Sequence, residues 1–316
     1  MQILDFEKPI YKMQEKIEEL KQLGKDTKID YKREIEILEN QTKGYKKELY
    51  ENLEPFQKLQ IARHPLRPNF LDYVNLMTDD FIELHGDRCG TDDRAVIGGI
   101  AKIGGVTVML VGTQKGKSTK ENLEYNFGMP QPQGYRKAFR LFNHASKFNM
   151  PIVTLVDTIG AYPGVKAEET GQGIAIAENL RDMAKLEVPV ISVITGEGCS
   201  GGALGIAVAN KVMILEYAYY SVISPEGCAS ILWRDALESK KAAQALKINA
   251  DDLIKFNIVD EIIKEPLGGA HYNPEKMAKD LKKAILKAVK DFEKMTPEEL
   301  KQDRYNKFRA LGVWGE

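Results

Sequence analysis

The sequence has few cysteines, and they form no cluster. Its 316 residues include three cysteines, Cys89, Cys199 and Cys228, which lie far apart without CxxC spacing. A disulfide framework needs several cysteines, and a structural metal site needs closely spaced thiol or imidazole ligands. We therefore expect neither a disulfide-stabilised fold nor a metal site in this chain.

The sequence also lacks an excess of one charge and a long apolar segment. Lysine and arginine total 45 against 46 aspartate and glutamate residues, a formal net charge of −1. Such a chain has no overall field that attracts nucleic acid or an anionic membrane. The N-terminus lacks the apolar core of a signal peptide, and the apolar run GIAVANKVMIL is interrupted by Asn210 and Lys211. We expect a cytoplasmic protein that contacts no membrane.

The first sixty residues carry the pattern of two amphipathic helices. From Ile10 and Met13 onward, apolar residues recur at spacings of three and four, and the segment GKDTKID interrupts the pattern. The sequence predicts a helical hairpin over residues 8–54, within an arm at residues 1–60. We expect this arm to pack on the main domain, residues 61–316, or on another subunit.

The main domain has the pattern of an α/β fold. Two β-rich runs flank Gly104 and Gly105, which predicts a tight hairpin. Further on, PIVTLVD, PVISVIT and KVMIL alternate with glycine-containing loops and amphipathic helices. Near-continuous valine and isoleucine runs suit strands that are covered on both faces, so a mostly parallel sheet is expected.

The stretch TGEGCSGGAL, residues 195–204, is predicted to be a loop that opens a helix, and it fits two short motifs. Gly196, Gly198 and Gly201 match the GxGxxG dinucleotide-binding pattern, with Glu216 placed to bind a ribose. The following helix is short for a dinucleotide-binding unit. This interpretation therefore has weak support from the sequence.

Two other chemical interpretations of the stretch remain open. The GxSxG pattern would make Ser200 a nucleophile, but only His271 follows it in the chain order that such hydrolases use. Alternatively, Gly201 and Gly202 lack Cβ atoms, and their N–H groups at a helix start would form an oxyanion hole. A purely structural alternative is that the glycines allow close packing of helix on strand.

Four longer segments carry a resemblance to a known family. They are LHGDRCGTDDRAVIGGIAKI, QKGKSTKENLEYNFGMPQPQGYRKAFRLF, DTIGAYPGVKAEETGQGIAIAENL and GEGCSGGALGIAVANKVMILEYAYYSVISPEGCASILW. In this order and spacing they resemble the α subunits of bacterial acetyl-CoA carboxylase carboxyltransferases. The resemblance covers nearly the whole chain, including the helical arm.

The resemblance implies an α/β fold of the crotonase type, in which strand-turn-helix units form a superhelix. It also implies an α2β2 carboxyltransferase that moves a carboxyl group from carboxybiotin, held on the biotin carboxyl carrier protein, to acetyl-CoA. The product is malonyl-CoA, in the first committed step of fatty acid biosynthesis. Biotin carboxylase is a further implied partner, and the zinc ribbon of the family belongs to the β subunit. A non-catalytic scaffold subunit and another crotonase-type acyl-CoA enzyme are the alternatives.

The resemblance also implies roles for individual residues. The N–H groups of Gly201 and Gly202 would stabilise negative charge on the ureido oxygen of biotin, while biotin itself would accept the proton from acetyl-CoA. This would explain why no histidine and acid pair stands out. The residues implied for substrate binding are Gly160, Tyr162, Pro163, Gly164, Gly198, Ser200 and Lys115.

Several positions near the implied site have more than one interpretation. Lys115, Lys117 and Lys120 are suited to bind CoA phosphates, although exposed lysines are common on protein surfaces. Two positions depart from the usual family pattern, with Thr113 in place of histidine and Cys199 in place of glycine. Cys199 lies inside the implied oxyanion stretch, where it would narrow the site or make it reactive toward thiol reagents.

Overall fold

The structure is a computed structural model that describes residues 3–27 and 29–312, and a single mixed β-sheet runs through the part described. Eight strands form this sheet. They are β1 (Asp80–Glu83), β2 (Val96–Ile103), β3 (Val106–Thr113), β4 (Ile152–Thr158), β5 (Val190–Cys199), β6 (Lys211–Leu215), β7 (Tyr219–Ser221) and β8 (Glu261–Ile263).

The strand order is β1, β2, β3, β4, β5, β6, β8, with β7 pairing to the far end of β5. The β1–β2 and β2–β3 pairs are antiparallel, and the pairs from β3 onward are parallel. Gly104 and Gly105 connect β2 to β3 with φ angles of +55° and +86°. A two-residue hairpin with positive φ at both positions favours glycine, so the predicted hairpin is confirmed.

Fourteen α-helices lie within the described residues. They are α1 (Lys8–Thr27), α2 (Lys32–Glu51), α3 (Pro55–Ala62), α4 (Phe70–Met77), α5 (Thr119–Glu124), α6 (Pro132–Lys147), α7 (Val165–Glu169), α8 (Gln172–Met183), α9 (Ser200–Leu204), α10 (Pro225–Trp233), α11 (Ser239–Leu246), α12 (Ala250–Lys255), α13 (Pro274–Phe292) and α14 (Pro297–Arg309). None of them is both long and apolar enough to cross a bilayer.

The centre of the sheet forms the hydrophobic core. Every residue of β4 and of β5 is buried, as near-continuous valine and isoleucine strands require when both faces are covered. Tyr135 and Phe142 of α6 and Leu281 of α13 pack into the same core. The predicted α/β architecture therefore follows from burial of these strands between layers of helices.

The two N-terminal helices form the predicted hairpin and pack on the main domain. Lys21 of α1 pairs with Glu39 of α2 at 2.9 Å. At the other end of the hairpin, Ile10 and Tyr50 lie in one apolar cluster with Tyr217. Helix α3 follows and spans residue 60, the position at which the sequence predicts the boundary of the arm.

Strand β5 extends further than the sequence predicts. It continues through residues 196–199, which the sequence predicts to be a loop, and ends at Cys199. This prediction was wrong because β7 pairs with this part of β5, with Gly198 opposite Tyr220. The turn into a helix does occur, but at Ser200.

Candidate active site

The segment around Gly160 and the glycine turn at Gly201 and Gly202, both implied by the resemblance to belong to the site, meet in space. Strands β4 and β5 are parallel neighbours, so their carboxyl ends lie at the same edge of the sheet. A Cβ added to Gly202 would lie 2.3 Å from the backbone nitrogen of Ala161. Only glycine permits this approach between the first turn of α9 and the segment that follows β4.

The turn into α9 presents backbone N–H groups. Ser200 begins the helix with a φ of +62°, an unusual conformation for a residue with a side chain, and it is exposed. Gly201 and Gly202 follow in the first turn, where N–H groups have no acceptor within the helix. The turn is fixed from the other side, because the Tyr135 hydroxyl donates to the Gly202 carbonyl at 3.0 Å.

Ser200 and Gly201 open onto a cavity of about 810 Å³. The cavity is large enough for a ligand of cofactor size. Its lining is mainly apolar, and it brings together α9, β7, α12 and α14. The apolar and aromatic side chains of the lining include Leu204, Tyr220, Val222, Leu253, Phe256 and Phe308.

The remaining residues implied for substrate binding occupy different surroundings. Gly160 is buried, and a Cβ placed on it would lie 3.9 Å from that of Ser200. Tyr162 donates its N–H to the Pro130 carbonyl at 2.9 Å. Pro163 is exposed and Gly164 is half-buried, whereas Gly198 is buried within β5. A substrate role for each of these residues stays a prediction.

Lys115 binds two carboxylates, one at the end of β4 and one within β5. It follows β3, and its ammonium group donates to Asp157 Oδ1 at 2.6 Å and to Glu197 Oε1 at 2.7 Å. Burial lowers the pKa of Lys115, but the two carboxylates outweigh burial, so the pKa is raised. Contact between this ammonium group and a CoA phosphate stays a prediction.

Glu197 is the centre of this charged cluster. Its Oε2 accepts hydrogen bonds from Arg63 Nε and from the Tyr219 hydroxyl, each at 2.7 Å. Arg63 also donates to Glu226 Oε1 at 2.7 Å. Burial raises the pKa of Glu197, but Lys115 and Arg63 outweigh it and the pKa falls to about 2. The Glu197 side chain is 6% exposed, and the cluster holds it ionised.

The other two candidate lysines lie further out. Lys117 pairs with Asp72 at 2.6 Å and lines a second cavity of about 290 Å³, together with Lys115 and Arg63. Lys120 is exposed on α5. Most residues that line the second cavity are polar or charged, and members of the charged cluster are among them.

The dinucleotide and nucleophile interpretations find little support in the geometry. Glu216 is bonded to Lys264 at 2.6 Å and accepts the Glu265 N–H, so its carboxylate is engaged within the protein. His271 stacks on His64 with ring centroids 3.9 Å apart. Burial lowers the pKa of His271 to about 3, and the nearby His64 adds a smaller effect in the same direction. His271 is therefore a weak general base at neutral pH.

The two departures from the usual family pattern have clear local roles. The Thr113 hydroxyl accepts the Asp157 N–H at 2.7 Å, so it supports the charged cluster. Cys199 is 2% exposed, and burial raises the pKa of its thiol to about 11. A thiol of this kind is a poor nucleophile at neutral pH. Burial and the raised pKa both argue against a reactive thiol, and the effect of Cys199 on the site stays a prediction.

No group of histidine, cysteine, aspartate and glutamate side chains within residues 3–27 and 29–312 is arranged to hold a metal ion. The site comprises a glycine turn, an apolar cavity and a buried charged cluster. The first turn of α9 presents backbone donors of the kind that suit an anion.

Comparison with known proteins identifies the family. The model of the acetyl co-enzyme A carboxylase carboxyltransferase-like family matches residues 3–312. The chain belongs to this family. The carboxyltransferase α subunit of acetyl-coenzyme A carboxylase from Thermus thermophilus is 53% identical over 99% of both chains. The protein of the same description from Synechocystis sp. PCC 6803 is 51% identical over 99% of this chain and 96% of its own. The predicted family and carboxyltransferase function are confirmed.

Solved structures agree on the fold. A transcarboxylase 12S structure with bound methylmalonyl-coenzyme A superposes with a TM-score of 0.58 and 21% identity, covering 73% of this chain and 44% of that one. The structure of a Pseudomonas malonate decarboxylase hetero-tetramer with coenzyme A superposes with a TM-score of 0.57 and 14% sequence identity. The match covers 69% of this chain and 88% of that one. These neighbours confirm the crotonase-like fold class of this carboxyltransferase family member.

Sequence reasoning missed the charged cluster. From the sequence, no role was assigned to Arg63, Asp157 or Glu197. Asp157 and Glu197 nevertheless lie in DTIGAYPG and TGEGCSGGAL, the two segments whose glycines were assigned to the site. The available signal was a single acidic residue within each of two buried strands that carry no other charge. A buried carboxylate requires a cation partner, which directs attention to Lys115 and Arg63.

Proposed function

We propose that this family member works with a β subunit in an α2β2 complex that transfers a carboxyl group to acetyl-CoA and forms malonyl-CoA. The donor is carboxybiotin on a biotin carboxyl carrier protein that biotin carboxylase charges. Two relatives at 51–53% identity, both described as carboxyltransferase α subunits, support this proposal. Three free thiols, one of them exposed, are compatible with a reducing cytoplasmic setting.

The observation that carries the proposal is the glycine turn beside the apolar cavity. Carboxybiotin, when bound, supplies the carboxyl group that is transferred. The N–H groups of Gly201 and Gly202 donate hydrogen bonds to the ureido oxygen as it gains charge. The fit is supported by the first-turn position of both groups and by the opening of Gly201 onto the 810 Å³ cavity.

Other parts of the site exclude water and bind substrate in this proposal. The apolar lining of the cavity suits the uncharged ring system of biotin. Gly160 lies against the first turn of α9, and Tyr162, Pro163 and Gly164 follow it in the same segment. Lowering the local dielectric strengthens each hydrogen bond to the oxyanion.

The test is malonyl-CoA formation by the complex of this chain with its β subunit. Gly201→Val should leave assembly intact but lower kcat about 100-fold, because bulk beside the donor displaces the oxyanion. Gly173→Val is the matched control. A Cβ at Gly173 has no neighbour within 4 Å, so that variant should keep its activity.

The alternatives predict different results. A scaffold subunit would keep both assembly and turnover in the Gly201→Val complex. A different crotonase-type enzyme would be indicated if the chain without β hydrated an enoyl-CoA or decarboxylated an acyl-CoA. Gel filtration of the same samples measures the proposed α2β2 stoichiometry.

A further inference from the structure

The backbone ladder between β4 and β5 is interrupted just before the glycine turn. Val156 pairs with Ile194, but Thr158 pairs with Gly198, so β5 has two extra residues at this point. A ladder with such a bulge leaves backbone groups without their regular partners and bends the strand. Some other interaction must therefore fix the last part of β5.

Asp157 supplies that interaction. Its Oδ1 accepts the Glu197 N–H at 2.8 Å, and it also accepts the Lys115 ammonium group at 2.6 Å. A Cβ added to Gly196 would lie 2.5 Å from the same carboxylate oxygen. The absence of a side chain at Gly196 thus lets the Asp157 carboxylate take the place of the missing ladder bonds.

Lys115 connects this carboxylate to Glu197, three residues before Ser200. Without the ammonium group, two buried carboxylates would face each other at the end of β4 and within β5. Arg63 reaches Glu197 from the end of α3, but among the described residues it makes no hydrogen bond to Asp157. Lys115 is therefore the cation that holds both carboxylates.

We propose that Lys115 is a positioning residue for the Gly201 and Gly202 oxyanion hole, acting through Asp157 and Glu197. The inference rests on the function proposed above. It assigns Lys115 to the geometry of the turn, in place of a direct contact with a CoA phosphate. The two roles predict different kinetic changes.

The first measurement is a separation of kcat from KM. In the complex with β, Lys115→Met should lower kcat about 10- to 100-fold, because small displacements of catalytic groups have effects of this size. The KM for acetyl-CoA should change less than about twofold, since binding to CoA does not involve Lys115. A rise in KM with unchanged kcat would assign the residue to CoA and overturn the proposal.

The second measurement is the pH profile. In Lys115→Met, the two facing carboxylates lose their shared cation, and this loss raises the pKa of Glu197. A proton on Glu197 relieves the repulsion, so the deficit in kcat should shrink as the assay pH is lowered from 8 to 6. Other charged or titratable groups that face the pair are Arg63, His64, Arg67, Tyr73, Tyr219 and Glu226.

The double variant Lys115→Met/Asp157→Asn separates positioning from simple loss of stability. Asparagine still offers an oxygen to the Glu197 N–H, but it removes one of the two charges. We expect kcat to recover at least in part at pH 8 and the added pH dependence to disappear. An equal deficit at every pH, without recovery in the double variant, would show a purely structural role and overturn the proposal.

Lys211→Met is the matched control. Lys211 forms a similar ion pair with Glu261 at 2.6 Å, with 14% side-chain exposure compared with 18% for Lys115. It lies at the start of β6, away from the glycine turn, so kcat should not change. Failure of the wild-type complex to form malonyl-CoA would count against the proposed function, whereas full activity of Lys115→Met would count against the positioning role alone.

Discussion

Gly202 lies directly against the backbone of Gly160, and a Cβ added to Gly202 would lie 2.4 Å from the Gly160 carbonyl carbon. Two motifs separated by about forty residues therefore share one surface. The contact is steric, so replacing Gly202 with alanine, which adds only a Cβ, tests it.

Gly202→Ala should destabilise the fold, and Gly201→Ala should not. Alanine at Gly202 must displace backbone, and overpacking of this kind costs about 1–3 kcal/mol. Alanine at Gly201 places its Cβ 3.7 Å from Ile176 Cγ2, an ordinary contact distance. Urea unfolding of both variants measures the difference, and equal stability of the two would contradict the contact with Gly160.

Cys199 should resist alkylation in the native protein. Burial raises the pKa of its thiol to about 11, so at pH 8 only about one molecule in a thousand carries the thiolate. Cys89 is exposed and should react first. Iodoacetamide labelling followed by peptide mass spectrometry checks this, with urea-unfolded protein as the control in which all three thiols react. Preferential labelling of Cys199 would be the contrary result.

Arg304→Met should strongly destabilise the protein. The Arg304 guanidinium donates to the carbonyls of Met183, Leu186 and Val188 at 2.7–3.0 Å, and it is 1% exposed. Methionine fills similar space but leaves buried acceptors unpaired, a loss of about 3 kcal/mol. Arg309→Met, an exposed position on the same helix, is the control. The midpoints of urea unfolding distinguish the two.

Glu197 should make the free energy of unfolding depend on pH in the acidic range. Its pKa falls from an ordinary 4.5 to about 2 on folding, so its contribution is complete above pH 4.5 and is lost as the pH falls toward 2. Between pH 5.5 and 3.5 this loss is about 1 kcal/mol. The free energy of unfolding of Glu197→Gln should therefore decrease less over this range than that of the wild type.

A suitable control for the acid series is Glu298→Gln. The Glu298 side chain is 79% exposed, so its replacement should leave the pH dependence of wild-type stability unchanged. If Glu197→Gln and the wild type lost stability in parallel, Glu197 would not be the buried ionised group described above.

Local structure was predictable from the sequence wherever residues adjacent in the chain determine it. The hairpin at Gly104 and Gly105 follows from backbone conformation, and the strand KVMIL coincides with β6. The sequence also predicted a mostly parallel sheet, and the parallel pairing of β4 and β5 brings the two glycine segments to one edge. The family resemblance supplied the crotonase-like assignment, which hydrophobic periodicity did not.

Pairings between distant residues were not predictable in the same way. Residues 196–199 have the local pattern of a loop. Their pairing partner β7 follows only after α9 and β6, so no local pattern shows its hydrogen bonds. Lys115 has the local pattern of a surface cation, since its partners Asp157 and Glu197 come 42 and 82 residues later. Burial of such a group depends on tertiary structure, which single-residue preferences do not encode.

The charged cluster also bears on the order of events during synthesis. Arg63 bonds Glu226, 163 positions further along the chain, and it bonds Glu197 at a separation of 134. Contacts between such remote segments form slowly, because closing long loops costs entropy before any bond is gained. A nascent chain therefore has to leave the ribosome beyond Glu226 before this cluster can close, which places its closure late in the folding of the polypeptide.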